Sequence, residues 1–130
     1  MTKKLILLFS HRLTDSQKKD ANTTLGVTEF ISMPAELQQK WSNVPAEIES
    51  ITDYLYDIRL WLMDVVSDND YILIQGDFGA TYYFVNWAFN NKLIPVYSTT
   101  KRIHQETILS DGSIEIRKTF EHKMFRQYNV

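Results

Sequence analysis

The sequence predicts an α/β fold, a mostly parallel sheet with helices on both faces that ends in a C-terminal antiparallel β-hairpin. Three observations predict it. Residues 4–9 and 70–74 are short apolar runs that lack the period-2 alternation of a one-sided sheet, as expected of strands covered on both faces. Segments with helical start and stop signals, and one with a long 3.6-period apolar face, separate these runs. Asp111-Gly112, between Ser110 and Ser113, is the signature of a two-residue type I′ hairpin turn. At 130 residues the chain fits a single domain, 1–130, with one core.

In order, the first strand spans 4–9 and leads into the loop Ser10-His11-Arg12-Leu13. Thr14 and Gln17 match a capping box, so a polar helix starts there and should stop at Gly26, a favourable residue for left-handed backbone. A short second strand is expected over 27–31. Pro34 and Pro45 each stand where a helix would begin. The first of these helices is short, 35–41. The second is predicted over 46–66, because Ile48, Ile51, Leu55, Ile58, Leu62 and Val65 recur at alternating spacings of three and four. Such a stripe serves either a crossover helix packed on the sheet or a helix partner. A third strand follows at 71–74, then a glycine turn and an aromatic-rich helix over 82–90. A fourth strand is predicted over 92–97, ending in a hydroxyl-rich loop, 98–102. Ile114 and Ile116 alternate with Glu115 and Arg117, giving the returning hairpin strand one wet face.

Composition narrows the chemistry. The absence of cysteine excludes disulfides, thiolate metal sites and cysteine nucleophiles. A net charge of −2 and a pI near 5.9 lack the basic footprint of a general DNA or long-RNA binder, yet permit a local anion site. Three scattered histidines make a poor metal site. Met1-Thr2-Lys3-Lys4 followed by the apolar run resembles the start of a signal peptide. That run is too short and no small-residue cleavage site follows, so it reads as the first strand. No run reaches transmembrane length, so a cytoplasmic protein with no membrane partner is expected.

The stretch Gln75-Gly76-Asp77-Phe78-Gly79-Ala80-Thr81 joins a strand to a helix start, where unclaimed backbone N–H groups and the helix dipole favour an anion. A tight connection without ligand explains the same residues. No lysine follows the second glycine, which argues against Walker-type nucleotide hydrolysis. In a parallel sheet, ligands bind outside the carboxyl ends of the strands. The three loops at 10–13, 75–81 and 98–102 would then share one rim.

Phe9-Ser10-His11-x-Leu13-Thr14, Trp41-x-x-Val44-Pro45, Gln75-Gly76-Asp77-x-Gly79-Ala80-Thr81, Pro95-Val96-Tyr97-Ser98-Thr99-Thr100-x-Arg102 and Phe120-x-His122-x-x-Phe125-Arg126 occur in that order. Together they resemble a small type III CRISPR-associated accessory family that is grouped with the cyclic oligoadenylate ring nucleases. The resemblance implies a Rossmann-like three-layer sandwich, similar to the CRISPR-associated sensor domains, acting as a homodimer. It also implies metal-independent cleavage of a cyclic oligoadenylate, most plainly the tetra-adenylate, with no cofactor. Under that scheme Ser10, His11 and Arg102 are the catalytic candidates. Gln75, Gly76, Asp77, Phe78, Gly79, Ala80, Thr81, Thr99, Thr100 and His122 are the substrate-binding candidates. For each, a plain structural role competes: His11 as a loop residue capping backbone groups, Asp77 as a helix cap, Phe78 as a core contact, and Arg102 as a solvated arginine. The alternative function is a binding protein of the same fold that sequesters or senses the messenger without cutting it.

Overall fold

Uninterrupted leucine and isoleucine make β1 (Lys3–Leu8) and β3 (Tyr71–Ile74) the middle of the sheet in the computed structural model, which describes residues 3–129. Met1 and Thr2, part of the leading charged stretch, lie outside those residues. β2 (Val27–Ser32) pairs parallel to β1, and β4 (Ile94–Ile108) parallel to β3. β5 (Ile114–Gln127) runs antiparallel to β4, giving a five-stranded mixed sheet in the order β2-β1-β3-β4-β5.

Alternate residues of the central strands feed two cores, which is why neither strand shows an alternating sequence. Ile6, Leu8, Ile72 and Ile74 pack with residues of α2 (Ala35–Ser42), α3 (Tyr56–Val65) and α4 (Phe78–Asn90). Leu5, Leu7, Tyr71 and Leu73 pack with Ala21 of α1 (Asp15–Leu25), Val96 and Phe125. The capping box at Thr14 and Gln17 forms as expected, and Gly26 ends α1 at φ 71°.

Three expectations are corrected. The helix predicted over 46–66 begins only at Tyr56; residues 46–55 form turns. Ser50, Thr52 and Asp53 have side chains that compete with helix hydrogen bonds. The Tyr54 hydroxyl also donates to Lys40 O at 2.7 Å, tying this run to the end of α2. Second, Ser98 to Arg102 form no loop. β4 continues for 15 residues, with Ser98 opposite Phe125, Thr100 opposite His122 and Arg102 opposite Phe120. Serine and threonine are common in loops, but β-branched threonine also suits a paired strand. Third, the hairpin does not close through a two-residue type I′ turn. Leu109 N donates to Ser113 O and Gly112 N to Leu109 O, leaving Ser110, Asp111 and Gly112 as a three-residue loop. Gly112 alone takes positive φ, 87°, whereas a type I′ turn needs it at both central residues.

Candidate functional site

The connections from β1 and β3 run to opposite sides of the sheet, and such a switch point leaves a crevice at the carboxyl ends of the two strands. The loop after β1 and the turn after β3 border it. Gln38 of α2 donates to Phe9 O at 2.6 Å, and the Trp41 indole donates to Gln75 O at 3.0 Å, so α2 braces both. Trp41 also explains Gly76: a Cβ there would meet the indole at 2.7 Å.

Ser10, His11 and Arg12 are exposed on the β1–α1 loop, with the His11 ring edge-on to Phe9 at 5.5 Å. The loop separates two clefts. The larger, about 810 Å³, draws its polar lining from Ser10, His11, Arg12, Lys18, Ser32 and Gln38. None of its lining residues is a carboxylate. The smaller, about 550 Å³, lies between this loop and the hairpin and includes His11, Arg12, Ser16, Thr100, Phe120 and His122.

His122 is held from both sides. Its Nε2 lies 2.7 Å from Asp20 Oδ2 of α1, and its Nδ1 lies 2.5 Å from Ser98 Oγ. Ser98 Oγ also accepts from Gln17 Nε2 at 3.3 Å, and Ser98 N donates to Gln75 Oε1 at 2.8 Å. With Nε2 carrying the proton, every group is matched: His122 donates to Asp20 and accepts from the Ser98 hydroxyl, which accepts from Gln17. The chain of bonds ties α1, the hairpin and the turn after β3 into one rim. Burial works to raise the Asp20 carboxyl pKa, but the hydrogen bonds from Thr24 and His122 outweigh it and hold the pKa below its ordinary 3.8.

In the turn after β3, Asp77 is the N-cap of α4 and accepts from Ala80 N at 3.0 Å. It therefore occupies the place where an anion would sit on this helix end. Ala80 is buried in the core, Gly79 packs 3.1 Å from Ile51 Cδ1 as measured from a would-be Cβ, and Phe78 is 94% exposed. The Thr81 hydroxyl is buried with no hydrogen-bond partner among the described residues. A small pocket of about 300 Å³ opens here, lined by Gln75, Gly76, Phe78, Thr81, Tyr97 and Tyr128.

The predicted residues thus divide into groups. Ser10 and His11 share the larger cleft; His11, Thr100 and His122 share the smaller; most of the 75–81 turn lines the third pocket. Thr99 is spent on Met124, accepting from its N–H at 3.2 Å and bonding its carbonyl at 3.1 Å. Arg102 lines neither cleft; its guanidinium lies 5.4 Å over the ring of Phe120, at the edge of the smaller one. The sequence assigned no ligand-site role to Arg12, Lys18, Gln17, Asp20 or Ser98, although Arg12 and Ser98 lie in expected rim segments. Arg12 was legible beside His11. Lys18 and Asp20 reach the rim only because α1 folds back across the sheet. Among the described residues, no three His, Cys, Asp or Glu side chains gather to hold a metal ion, and no helix is long and apolar enough to cross a membrane.

Fold and site together define an α/β protein with ligand-sized clefts at the carboxyl ends of its parallel strands. The chain belongs to the Uncharacterized protein MJ1673 family, whose model matches residues 3–126. It is 52% identical over 126 residues to the Uncharacterized protein MJ1673 of Methanocaldococcus jannaschii, an alignment that covers 97% of each chain. No solved structure matches it.

Proposed function

We propose that this protein is a metal-independent ring nuclease that binds and cleaves a cyclic oligoadenylate, ending type III CRISPR signalling in the cytoplasm. One observation carries the reading. In a chain of net charge −2, the larger of the two clefts beside the β1–α1 loop collects His11, Arg12 and Lys18 and no carboxylate, the electrostatics a phosphodiester needs. We read the sheet as Rossmann-like with helices in layers on either side; the strand order β2-β1-β3-β4-β5, which flavodoxin-like sheets also have, supports that reading.

The substrate carries its own nucleophile. The ribose 2′-oxygen attacks the adjacent phosphorus, its bond to phosphorus forms, and the bond from phosphorus to the 5′-oxygen breaks. The 2′-hydroxyl proton goes to a base and a proton is delivered to the leaving 5′-oxygen, giving a linear product with a 2′,3′-cyclic phosphate. His11, exposed at the junction of both clefts, is the group for one of these transfers. Arg12 suits the charge that builds on the phosphoryl oxygens, since its planar fork can donate two hydrogen bonds. Ser10 supplies a further hydroxyl. His122, with both ring nitrogens engaged, serves as wall and brace rather than proton carrier.

The test is incubation of the full chain with cyclic tetra-adenylate in EDTA, with products resolved by chromatography. Linear oligoadenylate with a cyclic phosphate end is expected, and its formation should drop at least about 100-fold in His11→Ala. Tight binding without cleavage at enzyme excess would replace the nuclease with a sequestering or sensing protein. Neither binding nor cleavage would end the reading.

A further inference from the structure

We infer that the groove between α4 and the turns preceding α3 is a binding site for a methylated ammonium group. Ile48, Ile51 and Leu55 continue the apolar spacing of α3, yet residues 46–55 form turns. Departures of this kind concentrate at functional or strained sites. Here the turns lay Glu49 and Ile51 alongside α4 and close one wall of a cavity of about 550 Å³, a size common among small-ligand sites. That wall is held in place. Leu55 N donates to Ile51 O at 2.9 Å, and the Tyr54 hydroxyl to Lys40 O at 2.7 Å. Ile51 packs on the core, its Cδ1 3.1 Å from where a Cβ on Gly79 would stand.

The opposite wall is aromatic, built by Tyr82, Tyr83 and Trp87 of α4. Phe84 sets two of these rings edge-on, with centroids 5.0 Å from Tyr83 and 6.2 Å from Trp87. Charge selects the ligand. Glu49 is the only charged residue in the lining, and it has no ion-pair partner among the described residues. The last turn of α4 contributes Trp87 and Asn90 to the groove and carries no basic residue to offset the negative end of the helix dipole. Arg59 bonds the Tyr83 hydroxyl at 3.1 Å but is not part of the lining. An unpaired carboxylate, a helix carboxyl end and three aromatic rings all favour positive charge, and no lining group opposes it. A primary ammonium is strongly hydrated; methyl groups weaken that hydration and suit the aromatic wall. A phosphate would be repelled by Glu49. The groove shares no residue with the two clefts beside the β1–α1 loop, so the inference is independent of the cleavage reading.

The group can be carried by a free molecule or by a methylated lysine of another protein, and the test separates the two. The probes are choline, its uncharged isostere with tert-butyl in place of trimethylammonium, and a trimethyllysine flanked by glycines. Each is titrated into the full chain at constant ionic strength, with the Trp87 indole N–H followed in proton–nitrogen correlation spectra. Choline or the peptide is expected to shift that signal saturably, while the indole of Trp41, 2% exposed, stays in place. The isostere should bind at least about five-fold more weakly than choline. Glu49→Lys and Tyr82→Ala, both at exposed positions, should each weaken the cationic probes at least about five-fold with unchanged far-UV circular dichroism. Whichever of choline and the peptide binds more tightly identifies the source of the group. No saturable shift with either cationic probe overturns the proposal. So does equal affinity for choline and its isostere, a comparison that needs no variant, or a folded Glu49→Lys variant that binds as the parent does.

Discussion

Replacing Gly76 by alanine should destabilise the protein by about 2–4 kcal/mol, through one identifiable contact. The added Cβ would lie 2.7 Å from Trp41 Nε1, 2.8 Å from Cε2 and 2.9 Å from Cζ2, separations that real Cβ atoms do not hold. Trp41 cannot swing aside cheaply: it is 2% exposed, sits in the core beside Phe84, and donates to Gln75 O at 3.0 Å. Gly76 is itself exposed, but pressing the buried indole into its packed surroundings is overpacking, which costs about 1–3 kcal/mol. Losing the indole bond adds about 1 kcal/mol. Urea denaturation followed by far-UV circular dichroism measures the sum. Trp41→Phe removes the three contacted atoms, so adding Gly76→Ala in that background should cost at least about 1 kcal/mol less than it does alone. A Gly76→Ala cost under about 0.5 kcal/mol, or an equal cost in both backgrounds, would exclude the Trp41 contact as its source. Because Gln75 is a partner of Ser98 as well, the same substitution should also disturb the rim around the clefts.

The other predictions concern the rim. Arg12→Ala and Lys18→Ala should each weaken cyclic tetra-adenylate binding roughly 5- to 30-fold at low salt, and less at high salt, by isothermal titration calorimetry. Arg102→Ala, which removes a side chain stacked on Phe120, should leave the dissociation constant within about two-fold; a larger loss would place Arg102 at the ligand. Asp20 has a folded pKa below its ordinary 3.8, so its contribution to stability is present above 3.8 and is lost as pH falls beneath that value. In urea titrations at several pH values, Asp20→Asn should therefore flatten the acid limb of the stability curve while keeping its neutral limb parallel to that of the parent protein. An unchanged acid limb would show that Thr24 and His122 do not hold the Asp20 carboxylate as the geometry indicates.

By itself the sequence determined the two central strands and the ends of α1. The runs at β1 and β3 have no polar interruption, so they admit only a doubly covered strand, and the parallel core of the sheet follows. Thr14, Gln17 and Gly26 act within a few residues of themselves, and local rules suffice for them. The loop Ser10-His11-Arg12 was legible as a rim for the same reason, since it follows a strand whose direction was already known. Other features were decided only by contacts distant in sequence. The apolar stripe of 46–66 is real as a pattern, yet its first half forms turns because Tyr54 is held by the end of α2. Ser98, Thr99 and Thr100 have loop-like composition and lie in a strand because β5 supplies their partners. Asp77 was recognisable as either ligand contact or cap, and its bond to Ala80 N makes it the cap. Most of the rim is of this second kind. Asp20, His122, Ser98 and Gln75 lie as many as 102 residues apart, and the hydrogen bonds that join them exist only when α1, the hairpin and the turn after β3 are packed on one sheet.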